Sequence, residues 1–514
     1  MYSGAAMNKP MNFSAWGGRG QLGAPPAQQI QATLQQACAL HQQGQLDQAA
    51  RLYEAVLKAQ PRNFDALHLL GVIAYQTQDC RRAVELITQA LKVDRNHVPA
   101  YNHRCAAYAA LKEYELALLN YDKAIALQPQ APEAWNNRAN VRLAHGQLDA
   151  ALADLDQALR LKPDYAEACH NRGNVLSELG RHAEAIASYQ RAVDLKPAAH
   201  DMRRSLGMAC LRSGEFARGW AHSEGRLPAW MAKEWLDTKD SPRWQGEDLA
   251  GRTILLRSEQ GLGDTIQFAR YVPPLVAQGA KVVLEVQKPL LSLLAGPMSA
   301  WEQVCLIAQG QALPAFDCYC PLMSLPLVFK TDLGHVPAPL PIQADAARIE
   351  KWRALLGERS RPRVGIVWRG NAAHVDDHRR SMRLQDLLPM LSDEIEWVSL
   401  HKDLRPQDEA LLAQQPGIRH FGGQQEDFTD AAAMLKLVDL VVTVDTSMAH
   451  LAGSMGVPVW VLLAFNADWR WLLERNDSPW YPSARLLRQR ASGDWPELIE
   501  RVGQALRSTL LASG

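Results

Sequence analysis

Small and large apolar residues recur along the first half of the chain with one period. Ala49, Ala83, Ala117, Ala151 and Ala185 stand 34 residues apart, and Tyr53, Ile87, Tyr121, Leu155 and Tyr189 each follow four residues later. Four residues make about one helical turn, so each pair shares one buried stripe. Pro61, Pro129, Pro163 and Pro197 keep the same 34-residue step, with Arg95 at the missing position. A proline there stops the second helix of a unit. Gly71, Gly173 and Gly207 fall in the first helix, where a missing side chain lets two helices cross closely. The pattern predicts helix pairs stacked as an α-solenoid over 30–226. It comprises five units and a sixth, partial one that departs at Gly219-Trp220.

From Arg252 the period changes to strand-helix alternation. Strands are predicted at Thr253–Arg257, Lys281–Val286 and Val304–Ile307, with helices at Asp264–Gln278 and Pro289–Ala295 between them. Asp317–Leu327 is apolar and irregular. A second set of strands follows in VGIVW from Val364, EWVSL from Glu396, Ile418–Phe421, Val441–Val444 and Val459–Leu463. Helices are predicted at Leu384–Leu391, Arg405–Gln415, Phe428–Val438, Met448–Met455 and Pro496–Leu511. Two α/β sets in sequence imply two Rossmann-like domains, 249–345 and 346–514, facing one another across a cleft. Between solenoid and sheets, residues 227–248 carry Pro228, Trp230, Trp235, Pro242 and Trp244, which reads as a connector packed on the next domain. Residues 1–29, rich in Gly, Ala, Asn and Gln, read as a disordered leader.

Composition adds exclusions. The 514 residues carry 55 basic and 55 acidic side chains, so nothing global points to nucleic acid or an acidic membrane surface. The eight cysteines form no CxxC pair; Cys80, Cys105, Cys169 and Cys210 sit at buried positions of the repeat and read as reduced residues of a cytoplasmic protein. No run is long enough to span a membrane.

Candidate chemistry lies at strand ends. After Val441–Val444, the triplet Asp445-Thr446-Ser447 stops the strand and caps a helix. The free N–H groups of such a helix start suit a diphosphate; an ordinary strand-to-helix turn is the other reading. After the first strand, Gly261 and Gly263 allow a tight turn close to a ligand, and Asp264 begins the helix. The turn is not GxGxxG and no acidic ribose partner follows, which argues against a nicotinamide cofactor. Arg369 and Asn371 follow the VGIVW strand, and Arg379, Arg380 and Arg383 lie in the next loop, with Arg379 read as solvated. Guanidinium groups at this edge would balance a diphosphate. No Asp-x-Asp occurs in the α/β half, in keeping with a site that needs no metal. In the solenoid, Asn137 and Asn171 are equivalent, as are Asn140 and Asn174. Such amides either bond a peptide backbone in the groove or bond neighbouring helices.

The 34-residue unit resembles the tetratricopeptide repeat. GLGDTIQF from Gly261 and VVTVDTSMAHLAG from Val441, in this order, resemble the heptosyltransferases of lipopolysaccharide synthesis, which are inverting GT-B glycosyltransferases. Repeats joined to such a pair are similar in architecture to the O-linked N-acetylglucosamine transferases. WRGN, RRSM, DFTDAAA, VDTSMAHLAG, DWRW and DSPWYPSARLLRQ together resemble bacterial fusions of tetratricopeptide repeats with a heptosyltransferase-like domain. The resemblance implies Asp264 as general base and Asp445, Thr446, Ser447 and Met448 as the donor-diphosphate turn, with His450 one turn in. The family's phosphate-binding lysine is missing here; Arg369, Arg380 and Arg383 stand in its region. The implied activity is transfer of a sugar from a nucleotide-diphosphate donor, which is a substrate and not a cofactor, to a protein or glycan acceptor held by the repeats. The rival expectation is a non-catalytic repeat scaffold with a degenerate sugar-nucleotide domain.

Overall fold

The computed structural model describes residues 25–227, 241–373 and 377–511. The expected leader up to residue 24, and Pro228, Trp230 and Trp235 of the connector, lie outside the described residues. The chain divides into two compact units, Met1–Lys196 and Pro197–Gly514.

The first unit is all helical: α1 (Pro25–Gln42), α2 (Leu46–Ala59), α3 (Phe64–Gln76), α4 (Cys80–Val93), α5 (Val98–Ala110), α6 (Tyr114–Leu127), α7 (Pro132–Ala144), α8 (Leu148–Leu161), α9 (Ala166–Glu178) and α10 (His182–Leu195). The periodic alanines and their large partners are all buried. Helix crossings are close where a glycine permits it: a Cβ on Gly71 would stand 2.6 Å from Ile87, and one on Gly173 2.6 Å from Tyr189. The turn inside each pair repeats too. Gly44, Gln78, Lys112, Gly146 and Gly180 all have positive φ, at the 34-residue step. In each, the next residue's N–H reaches back to the last helical turn, as in Asp79 to Ala74 at 2.8 Å and Glu113 to Tyr108 at 2.9 Å. This satisfies carbonyls that the helix end leaves open.

A second periodic device is polar. Arg138 on α7 bonds Asp154 of its own pair and Asp122 of the pair before. Arg104 bonds Asn120 and Thr88 in the same way, and Arg172 bonds Ser188 and Asp156. Each arginine thus clamps two successive second helices.

The second unit opens with one more helix pair, α11 (His200–Arg212) and α12 (Phe216–Ser223). The pattern placed this pair with the solenoid, but its apolar face packs elsewhere. Leu211, Phe216 and Trp220 enter the same core as Trp469, Trp471 and Trp480. Trp220 stands edge-on to Trp469 at 5.1 Å and donates its indole N–H to the Thr331 carbonyl at 2.8 Å. The departure at Gly219-Trp220 is therefore a graft onto the α/β half. Trp244, the connector's described tryptophan, is buried in this core as well.

Two parallel sheets follow. The first runs β3-β2-β1-β4, from β1 (Thr253–Arg257), β2 (Lys281–Val286), β3 (Val304–Ala308) and β4 (Cys318–Pro321). The second runs β10-β9-β8-β5-β6-β7, from β5 (Arg363–Val367), β6 (Glu396–Ser399), β7 (Ile418–His420), β8 (Leu440–Val444), β9 (Val459–Leu463) and β10 (Ala484–Arg488). Strand β4 lies in the stretch read as irregular, and β10 was not expected. The predicted helix Asp264–Gln278 is split: α13 (Leu262–Phe268) gives way to a 3₁₀ turn before the Pro273-Pro274 pair. Chain order reverses between β1 and β4 and between β5 and β8. A crevice opens at the carboxyl ends of strands where order reverses, and β1 and β8 deliver the two candidate turns there.

Candidate functional site

Gly261 precedes α13, and the Asp264 carboxylate accepts the Gly261 N–H at 2.8 Å. In the other half, Thr446 caps α14 (Ser447–Ser454): its Oγ1 accepts the Met448 N–H at 3.3 Å and lies 3.1 Å from Thr443 Oγ1. The two helix starts meet. A Cβ on Gly263 would lie 2.6 Å from His450 Cδ2 and 3.3 Å from the Ser447 Cα. Neither Gly261 nor Gly263 has positive φ. The glycine at 263 is required for this close approach and not for a left-handed turn, and at this point the two helix starts are in contact, with no cleft between them.

Buried cations join the halves: Arg270 donates to the Trp480 carbonyl at 3.1 Å, and Arg470 reaches the other way. Arg470, on the turn Trp469–Trp471 after β9, bonds Asp264 Oδ1 and Gln267 Oε1 of α13, and donates to Asp468 Oδ1 at 2.9 Å. Its guanidinium stacks 4.6 Å over Trp469, and its side chain is 8% exposed. Burial opposes its charge, but Asp264 and Asp468 outweigh that and hold its pKa above the usual arginine value. Nearby, Asp445 is half-buried at the end of β8. Burial and the Asp468 charge push its carboxyl up to about 6, against the opposing pull of Trp471, Arg380 and Arg470. The Trp471 indole N–H is buried and, though near Asp445, meets no acceptor in full hydrogen-bond geometry among the described residues.

His450 is buried, with Nδ1 2.9 Å from Tyr481 Oη and its ring stacked on Trp471. Burial, with Arg470, Arg270 and Arg380 near, holds its pKa well below the usual value, so the imidazole is neutral. Met448 is a core residue. Of the predicted arginines, Arg380 alone is seen to act on this site, through its charge on Asp445 and His450. Its guanidinium packs on Gly370, where a Cβ would stand 2.8 Å from Nη2. Arg369 is committed to Asp408 at 3.0 Å and the Asp403 carbonyl at 2.8 Å. Arg383 is 72% exposed and pairs with Asp386 three residues on. Asn371 is exposed and accepts the Ala373 N–H. These three hold local turns.

In the solenoid, Asn171 donates to Asn136 of the preceding unit at 2.9 Å, and Asn136 to Asn137 at 3.3 Å. Tyr189 donates to Asn174 at 2.8 Å. The Asn171 and Tyr189 bonds link helix to helix, the Asn136–Asn137 bond joins neighbours on α7, and Asn140 is also engaged. Asp468, Arg470, Trp471 and Gln267 were given no role on sequence grounds. The signal available was the DWRW run itself, an arginine between two tryptophans.

Comparison with known proteins bears on the first unit. Tetratricopeptide repeat models match residues 34–92 and 166–198, and a TPR repeat model matches 106–146 and 139–180. The N-terminal part of the chain thus carries tetratricopeptide repeats. The whole chain is similar to protein FlbA of Caulobacter vibrioides, 25% identical over 493 residues, spanning 92% of this chain and 72% of FlbA. Among solved structures it is similar to the tetratricopeptide protein TTC0263 of Thermus thermophilus, 26% identical over 35% of this chain and 99% of that one, TM-score 0.31. It is also similar to Pseudomonas aeruginosa pilF, 17% identical over 42% of this chain and 100% of that one, TM-score 0.36.

Proposed function

We propose that the α/β half transfers a sugar from a nucleotide-diphosphate donor to an acceptor hydroxyl, with inversion and without a metal, on a protein or glycan recruited by the repeats. The observation that carries this reading is the meeting of two strand-end turns, each at its own sheet's reversal point, around Asp264, Asp445, Arg470 and Arg380. Such a junction supplies both needs of the reaction. A carboxylate accepts the acceptor's proton, the role that resemblance gives to Asp264. The start of α14 and the two arginines offset the charge that develops on the departing diphosphate.

A scaffold with a degenerate donor site is the second reading. Its supporting observation is that both Asp264 oxygens are engaged, by Arg470 and by the Gly261 N–H, while the two turns touch. A thermal-shift screen of nucleotide sugars, followed by product analysis with the donor that stabilises the protein, separates the two. The enzyme reading expects a stabilising donor and its turnover in the presence of acceptor. A stabilising donor that is never turned over favours the scaffold, and no stabilising donor removes the sugar-nucleotide site altogether.

A further inference from the structure

The last helix pair of the repeat pattern reaches both sides of the Asp264–Arg470 bridge. On one side, Arg226 closes the 3₁₀ turn Glu224–Arg226 after α12 and grips Glu259, five residues before Asp264. The grip is a two-pronged fork: Nη2 donates to Oε1 at 2.7 Å and Nε to Oε2 at 3.2 Å. Glu259 Oε1 also accepts the Met323 N–H at 3.1 Å, and Arg226 donates to Glu224 and to Ser324 Oγ as well. Arg243 completes the set on Glu224. The side chains of Arg226 and Glu259 are 6% and 1% exposed. On the other side, Trp220 of α12 packs edge-on against Trp469, and Arg212 of α11 donates to Asn466 Oδ1, both in the segment that delivers Arg470. The pair itself is tightly crossed, since three glycines leave no room for a side chain. A Cβ would stand 2.5 Å from the Ser223 nitrogen on Gly207, 2.6 Å from Leu211 on Gly219 and 2.6 Å from the His200 carbonyl oxygen on Gly225.

We propose that Arg226 is a positioning residue for the candidate base: through Glu259 it fixes the turn from Ser258 to Gly263 that presents Asp264 to Arg470. This rests on the glycosyltransferase reading and extends its site to the last helix pair. A buried ion pair gains little over apolar packing of the same volume, so stability alone does not account for it. What a planar fork adds is direction, because guanidinium and carboxylate meet in one plane and one register. The turn needs that direction from outside. Gly261 and Gly263 loosen its backbone, and beyond Glu259 the next tie is the Gln260 carbonyl, held by Gln287 Nε2 at 2.8 Å. Arg226 makes no bond to Asp264 among the described residues, so its influence passes through Glu259 and the backbone.

Amide hydrogen exchange of the full chain, read by mass spectrometry, tests this without a substrate. Glu259→Gln keeps size and an acceptor oxygen but loses the charged fork, and Arg226→Lys keeps the charge but loses the fork's geometry. Both should speed exchange in 258–264 by about tenfold while β2, β5 and the solenoid stay protected. Hydrolysis of UDP-, GDP-, ADP- and dTDP-glucose reads the consequence. The water oxygen bonds to the anomeric carbon, its proton passes to Asp264, and the diphosphate leaves with the electron pair. Arg226→Lys should lower kcat by about tenfold at unchanged donor KM, and should add no loss in the Asp264→Asn background, because it acts through that carboxylate. Exchange unchanged in both variants, or faster exchange spread evenly over both sheets, overturns the positioning role. So does an equal loss of kcat with and without Asp264, and each of these results leaves the glycosyltransferase reading standing. No hydrolysis of any of the four donors by wild type counts against that reading, and against a base to be positioned, whatever the exchange shows.

Discussion

Replacing Asp264 with asparagine is the obvious test of base catalysis, and the structure predicts that it also costs stability. The carboxylate accepts from two donors, the Arg470 guanidinium and the Gly261 N–H, with one oxygen each. Asparagine brings one acceptor oxygen, so one bond is lost, worth about 1 kcal/mol. Removing one partner of a buried pair costs about 3–5 kcal/mol in full. Here Asp468 and Gln267 stay on Arg470, and the Asp264 side chain is 18% exposed, so the charge loss is partial. A total of about 2 kcal/mol follows from these two terms together. Arg470→Met should cost more, about 3–5 kcal/mol, because it strands two carboxylates. The double variant should then be milder than the sum by about 1.5–2 kcal/mol. Urea unfolding followed by tryptophan fluorescence reads the correct unit, since only Trp16 and Trp135 precede Pro197. A coupling energy within about 0.5 kcal/mol of zero would refute the bridging role of Arg470. Rates for Asp264→Asn therefore have meaning only where the variant is fully folded.

Arg138→Met should destabilise the solenoid by about 2–4 kcal/mol, because Asp154 is 3% exposed and would keep only Arg142, at 2.9 Å; a circular-dichroism melt unchanged from wild type would dismiss the clamp. Lys112→Gly should stabilise by about 0.5–1 kcal/mol, since Lys112 holds φ 62° where Gly44, Gly146 and Gly180 hold equivalent turns; the same melt checks the sign. Gly263→Ala should cost about 1–3 kcal/mol by driving a methyl into His450, and an unaltered urea midpoint would mean the helix starts separate readily. A fragment starting at Pro197 should fold with native tryptophan emission, whereas one starting at Leu227 should expose the Trp469 and Trp480 face that α11 and α12 cover, and aggregate; equal solubility of the two would overturn the graft.

The repeats were legible in the sequence because helix packing there is local. Each alanine, tyrosine and turn residue meets a partner within its own or the adjacent unit, so one 34-residue rule repeats in stability and in sequence alike. Even the Arg138 clamp joins residues 16 apart. The strands were legible as β-branched runs, and the turns after β1 and β8 as capping residues that end them. What tertiary structure alone decided is which of these ends meet. Arg470 finds Asp264 across 206 residues, Trp220 finds the Thr331 carbonyl across 111, and no periodicity connects such positions. Strand β4, four residues of mixed character, exists because β1 offers it an edge. Arg369 and Arg383 carry the charge a donor site needs, yet neighbouring carboxylates Asp408 and Asp386 claim them. Charge type is written in the sequence; whether a charge is already neutralised is settled by distances of a few ångströms, and those belong to the folded chain.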